Sequence, residues 1–198
     1  MMKTLLHIIT VFAMASVLVS CAVVPLDVNK VLELKPDQKV YTAHNIWYDN
    51  KDEIFQINYH KGKILPFGTE VKILETTGDD IVFQDVKTGE TYRVFFTGKF
   101  MIAKTEYHIK ILFTTKNAEE LASGIKPEVL EKIKAGTVEK GMGKQEVILA
   151  YGYPSMHRTP SVNEDTWIYF DDAAKKKRVI FSRKGFVLEI MRDEQEKK

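Results

Sequence analysis

From Val40 to Phe113 the apolar residues fall in short alternating runs cut by turn residues. This pattern restricts that stretch to strands more tightly than any other feature restricts the rest of the chain. Phe55, Ile57 and Tyr59 share one face before Lys61-Gly62-Lys63 interrupts, and Val71 and Ile73 follow Pro66-Phe67-Gly68. Gly78-Asp79-Asp80 then leads into the apolar run Ile81 to Val86, and Lys87-Thr88-Gly89 makes the next turn. Tyr92, Val94 and Phe96 lie on one side of the following run, and Ile109, Ile111 and Phe113 mark one more strand. Successive side chains point to opposite faces of a strand, so each run has one face to bury. Strands about 8–12 residues apart with glycine turns predict a small antiparallel β-barrel or sandwich over residues 40–115.

Near Thr115 the apolar period changes. Asn117 followed by Glu119 and Glu120 starts a short helix that Gly124 ends, since an asparagine cap and early acidic residues suit a helix start. Pro127 fits the first turn of a second helix carrying Val129, Leu130 and Ile133, stopped by Gly136. A third has an apolar face of Val147, Ile148 and Tyr151, with Met142 just ahead, and Gly152 and Pro154 close it. Runs at Asp165 to Phe170, Arg178 to Phe181 and Val187 to Ile190 then predict a three-stranded meander. The expected class is α+β, with a second unit at residues 116–198. Within the first unit, Gly68 to Phe96 resembles an SH3-like barrel.

The order Lys140-Gly141-Met142 before the third helix, Gly152-Tyr153-Pro154 after it, Trp167-Ile168-Tyr169 on the next strand and Gly185-Phe186-Val187 in the last hairpin resembles the SmpA/OmlA/BamE family. Its members are small outer-membrane lipoproteins, best known as accessory subunits of the machinery that inserts β-barrel proteins. The resemblance covers about residues 125–191 and implies helices packed on a three-stranded antiparallel sheet, with β-barrel assembly factors as partners. Gly143 stands where the family usually has Thr or Ser as the helix cap, a change that costs only a few tenths of a kcal/mol. The β region ahead of the resemblance has no counterpart in those members, so fold transfers better than role.

The N-terminus decides where such a chain works. Leu5 to Val19 is apolar except for His7, Thr10 and Ser16, follows Lys3, and runs into Leu18-Val19-Ser20-Cys21. That stretch is shorter than the roughly 20 residues a membrane span needs, so residues 1–20 are expected as a cleaved signal peptide. Leu18-Val19-Ser20-Cys21 resembles the lipobox of bacterial lipoproteins, which implies that Cys21 is acylated and anchors the protein to a membrane. More than one acyl chain is needed for stable anchoring. Ala22 stands where aspartate signals inner-membrane retention, which points to the outer membrane with the domain facing the periplasm. Residues 21–39, with Pro25 and Pro36, are expected as a tether carrying a helical turn at Val28 to Leu34. Cys21 is the one cysteine of the 198 residues, so no intrachain disulfide can form and apolar burial must stabilise the fold. Formal charge is +2, or +1 without Lys3, and such a balance gives no support for nucleic-acid binding.

Few residues suggest chemistry. His44, His60, His108 and His157 show no metal-ligand spacing, so neither a metal nor another cofactor is expected. Asp79-Asp80 and Asp171-Asp172 sit in turns, where aspartate bonds its own backbone, and no serine stands in a nucleophile elbow. The chain therefore reads as a non-enzyme. Trp47 and Tyr48, in the aromatic stretch Tyr41 to Tyr48, suit either a partner-binding surface or packing at a barrel edge, and Trp167 and Tyr169 either partner contact or the helix beside them. Lys175, Lys176, Lys177 and Arg178 make either a solvated hairpin loop or a contact for anionic lipid headgroups. The leading expectation is a lipid-anchored envelope protein that binds or scaffolds other envelope proteins. The alternative is a periplasmic receptor for a small ligand, a metal or a cell-wall fragment.

Overall fold

The computed structural model describes residues 26–96 and 103–192. The expected signal peptide at residues 1–20, Cys21 and the C-terminal residues 193–198 lie outside the described residues. The chain enters with α1 (Val28–Val31), the helical turn expected in the tether. It is held against the body: Val28 is buried, Leu26, Val31, Leu32 and Leu34 pack beside it, and Thr76 Oγ1 donates to Leu26 O at 2.5 Å.

Strands β1 (Val40–Thr42), β2 (Ile46–Tyr48), β3 (Ile54–Phe55), β4 (Lys63–Leu65), β5 (Glu70–Thr76), β6 (Asp80–Asp85) and β7 (Thr91–Phe95) follow. The β5–β6–β7 meander is as expected, and its turns show why. Asp85 accepts from Lys87 N at 2.8 Å and from Thr88 Oγ1 at 2.8 Å, so its carboxylate closes one turn locally. The alternation of Phe55, Ile57 and Tyr59 does not make one long strand. The chain leaves β3 after Phe55 and passes Asn58 at φ 51, which leaves Phe55 exposed and Ile57 buried.

A second departure is α2 (Thr105–Leu112), where Ile109, Ile111 and Phe113 predicted a strand. The buried set is Thr105, His108, Ile109 and Leu112, which is the i, i+3, i+4, i+7 stripe of a helix. Phe113 then opens β8 (Phe113–Thr114), which pairs with β1. The large sheet runs β3-β7-β6-β5-β1-β8, antiparallel except for the parallel β3–β7 pair, while β2 and β4 form a separate ribbon.

Helices α3 (Ala118–Leu121), α4 (Pro127–Lys134) and α5 (Lys144–Tyr151) come next, and β9 (Thr166–Phe170), β10 (Lys176–Phe181) and β11 (Val187–Arg192) form an antiparallel sheet in the order β11-β10-β9. Asn117 and Glu120 cap α3 reciprocally, Asn117 Oδ1 taking Glu120 N and Glu120 Oε2 taking Asn117 N, both at 2.9 Å.

This architecture corrects the expected α+β class. The described chain is mostly β, with a six-stranded sheet curled into a half-barrel and five short helices, none longer than eight residues. The first part is neither a closed barrel nor an SH3-like antiparallel one. The C-terminal part is not a BamE-like layer of helices on a three-stranded sheet either. Val147, Ile148, Leu149, Ala150 and Tyr151 of α5 are all buried, whereas a helix lying on one sheet would keep a solvated face. Residues of the N-terminal part cover the side of α5 that such a fold would expose. Two apolar cores result, one under the large sheet around Phe83, Val94, Phe96 and Ile109, the other around Val147, Leu149, Trp167 and Val179.

Candidate functional site

The two cores meet along a polar seam built on the end of α5. A helix leaves its last four carbonyls without intrahelical partners, and buried carbonyls must find others. Ile148 O takes Gly152 N at 2.7 Å, and the N-terminal part supplies the rest. Leu149 O accepts from Asn45 N at 2.9 Å; Ala150 O accepts from Asn45 Nδ2 at 3.3 Å and from Trp47 Nε1 at 3.4 Å. Tyr151 O accepts from Asn58 Nδ2 and from His60 Nε2, both at 2.8 Å. Asn45, fully buried, also donates to Ile133 O of α4 at 2.7 Å and accepts from Phe67 N at 3.0 Å. One side chain thus ties the ends of two helices to the loop after β4.

Two glycines allow this approach. Gly152 has φ 80, and a Cβ there would stand 2.8 Å from Asn58 Nδ2 and 2.9 Å from the His44 ring. Gly136, at φ 64, would drive a methyl into the Trp47 ring.

Burial sets the protonation of the seam. His44 Nδ1 donates to the Asn45 carbonyl at 2.9 Å, and desolvation holds its pKa down at about 4. His60 stacks among Tyr151, Tyr169 and Trp47 at centroid distances of 4.3, 5.2 and 5.5 Å; burial, aided by the nearby Lys177 charge, keeps it well below the ordinary histidine range. With Nε2–H given to a carbonyl, its Nδ1 is a bare acceptor with no partner among the described residues. Both imidazoles are neutral at pH 7. Among the described residues no three His, Cys, Asp or Glu side chains come together to hold a metal.

Trp47, half-buried, separates two clefts. One, of about 360 Å³, is lined by the aromatic rings of Trp47, Tyr48, Phe55 and Tyr59, with Asp49, Glu53, Lys61 and Asp172 among its polar groups. Lys61 is ion-paired to Asp49. The other, of about 740 Å³, is more polar and includes Thr137, Asp171, Lys177 and Arg192 besides Trp47, His60 and Tyr151. Each draws residues from both parts of the chain, so neither exists without the seam.

The candidates singled out in the sequence divide accordingly. Trp47 and Tyr48 line the first cleft, Tyr48 also packing edge-on against Tyr92 at 5.3 Å. Trp167 and Tyr169 are core residues. Trp167 is fully buried against Phe181 at 4.6 Å, and Tyr169 OH donates to Gly152 O at 3.0 Å, so neither presents a surface to a partner. The basic run is not a uniform loop. Lys175 is exposed beside Asp172 at 3.6 Å and Lys176 is half-exposed, but Lys177 is buried, ion-paired to Asp171 and seated 4.6 Å from the Tyr151 ring centroid. Arg178 is half-buried on the opposite face of β10. The lipid-contact reading therefore loses Lys177.

Sequence reasoning passed over Asn45, Asn58 and the burial of Lys177, and it read Asp171 as a turn residue where the structure pairs it with Lys177. For Lys177 a signal existed: carrying the alternation of Phe181 and Val179 back two places puts residue 177 on the inner face. For Asn45 none did, because its partners lie 88 and 105 residues away. Comparison of the chain with family models, curated proteins and solved structures finds no match.

Proposed function

We propose that this chain is an outer-membrane lipoprotein, anchored through Cys21 and facing the periplasm, that acts as a non-catalytic module binding other envelope proteins. The observation that carries the binding role is the aromatic cleft. Four rings with polar neighbours are gathered at one surface depression, and Phe55 remains 39 % exposed beside the buried Ile54. Aromatic groups half-open to solvent supply large contact area at low entropic cost and dominate protein interfaces. Asp49, Glu53 and Asp172 outnumber Lys61 among the cleft's charges, so the fitting partner is a segment with an apolar anchor and basic flanks. Barrel-assembly factors are the first envelope proteins to test, because the C-terminal motifs suggest them.

The test is crosslinking in the native envelope with a photoreactive residue in place of Phe55 of the full chain. One envelope protein should be captured there and not from position 74, where an exposed leucine lies outside the cleft. Tyr59→Glu should reduce the capture. Equal capture from both positions would refute the role of the cleft. For the anchor, Cys21→Ser should abolish acylation in the mass spectrum and release the protein from the membrane fraction.

A further inference from the structure

The second cleft beside Trp47 contains an arrangement that structure-building alone does not call for. In β10 residues 177, 179 and 181 are the buried, inward-facing positions, so Lys177 occupies a place that Val179 and Phe181 fill with apolar side chains. Its direct cross-strand partner on β11 is Arg192, another cation. Like charges directly opposite one another destabilise a strand pair, and a buried ion pair is often no better for stability than apolar residues of the same size. Among the described residues lining the cleft one carboxylate, Asp171, answers the two cations, which leaves a net charge of about +1 there. Departures from local rules of this kind concentrate at functional sites.

The surroundings narrow the ligand. Positive charge in a partly desolvated site attracts an oxyanion, and lysine and arginine both bind carboxylate or phosphate. The half-exposed Trp47 ring offers an apolar platform, while Thr137 and the Asp171 carboxylate offer polar partners for hydroxyls. A volume of about 740 Å³ falls among small-molecule sites, which span about 300–1,000 Å³. We propose that this cleft binds an acidic saccharide, its anionic group between Lys177 and Arg192 and its ring on Trp47. The ammonium of Lys177 is already in place under the cleft, held by Asp171 and the Tyr151 ring, so binding demands little reorganisation. This site shares Trp47 with the aromatic cleft proposed for protein partners but does not rest on that cleft's proposed role.

The test titrates the full chain in detergent micelles with glucuronate and with glucose 6-phosphate. Glucose serves as the neutral control, and micelles doped with phosphatidylglycerol represent a lipid headgroup as the source of the anion. At least one anionic sugar should bind, with glucose weaker by about tenfold or more and the affinity falling as salt rises. Arg192→Gln, on an exposed residue, should weaken binding by about tenfold, or about 1.4 kcal/mol, while leaving the melting temperature in place. Phe55→Ala should leave the sugar affinity unchanged, which separates this site from the protein-binding cleft. Lys177→Met should abolish binding if it folds, and the arginine variant decides the matter if it does not. Binding equal to that of glucose, no binding of either anionic sugar, binding of the doped micelle alone, or an unchanged affinity in Arg192→Gln would each overturn the proposal.

Discussion

Replacing Asn45 tests the seam most directly. Asn45→Ala removes three bonds while keeping the backbone ones: Nδ2 to Ile133 O at 2.7 Å, Nδ2 to Ala150 O at 3.3 Å, and Oδ1 from Phe67 N at 3.0 Å. Ala150 O retains Trp47 Nε1 at 3.4 Å and Ile133 O retains Gly136 N at 2.9 Å, so one buried group, Phe67 N, is stranded. A stranded buried group costs about 1–3 kcal/mol, which sets the size of the loss. That is a large share of the roughly 5–15 kcal/mol that holds a domain together. For a chain of this size it corresponds to a fall in melting temperature of about 6 °C, within a factor of two. The assay is urea denaturation of the chain lacking residues 1–21, followed by both near- and far-ultraviolet circular dichroism. Asn45→Asp sharpens the test, because it preserves shape and Oδ1 but turns a carboxylate toward two carbonyl oxygens. It should be worse than alanine at pH 7 and improve as the pH falls and the carboxyl becomes a donor. A loss below about 1 kcal/mol in Asn45→Ala, or an aspartate variant milder than alanine at pH 7, would refute the account of the seam.

Other perturbations bear on the same structure. His44 takes a proton at about pH 4 when folded but at about 6.5 when unfolded, and His60 is depressed as well. Stability should be level above pH 7 and fall as pH drops from about 6.5 toward 4, by up to about 1.4 kcal/mol per pH unit for each histidine. Denaturation midpoints at pH 7.5 and 5.5 check this, His44→Gln should flatten the slope, and equal midpoints would contradict it. Gly152→Ala, strained at φ 80 and crowded by His44 and Asn58, should lose clearly more stability than Gly124→Ala, which has the same φ but open space around it and should lose about 1 kcal/mol. Trp167→Ala should cost about 3–5 kcal/mol as a core truncation, whereas Phe55→Ala should stay within about 1 kcal/mol and lose partner capture.

Much of the fold could be read in advance where signals are local. The hairpin between β6 and β7 rests on Asp85, Thr88 and Gly89 within a few residues of one another, and α3 on a capping pair three residues apart. Signals misled where two periods overlapped. Ile109, Ile111 and Phe113 alternate, yet Thr105, His108, Ile109 and Leu112 form the stripe that is buried. The helix won because its stripe covers the core beneath the curled sheet, including Phe96, whose ring stacks on His108 at 5.6 Å. The candidate clefts were half legible. Aromatic composition pointed to Trp47 and Tyr48, but Phe55 and Tyr59 joined them only because Asn58 bends the chain to reach Trp47 N and Tyr151 O.

By itself the sequence determined the β5–β6–β7 meander, the cap of α3, which glycines must turn the chain, and the apolar run with its terminal cysteine that makes the chain read as membrane-anchored. These depend on neighbours within a few residues, whose preferences for dihedral angles and capping bonds act whatever else the chain does. Only the tertiary structure decided that the second half of α5 is buried on all sides, that Trp167 is core while Trp47 divides two clefts, and that helix α5 is capped by Asn45, Trp47, Asn58 and His60. Those outcomes depend on which surface covers which. The covering residues lie up to about a hundred positions away, so no local periodicity encodes them.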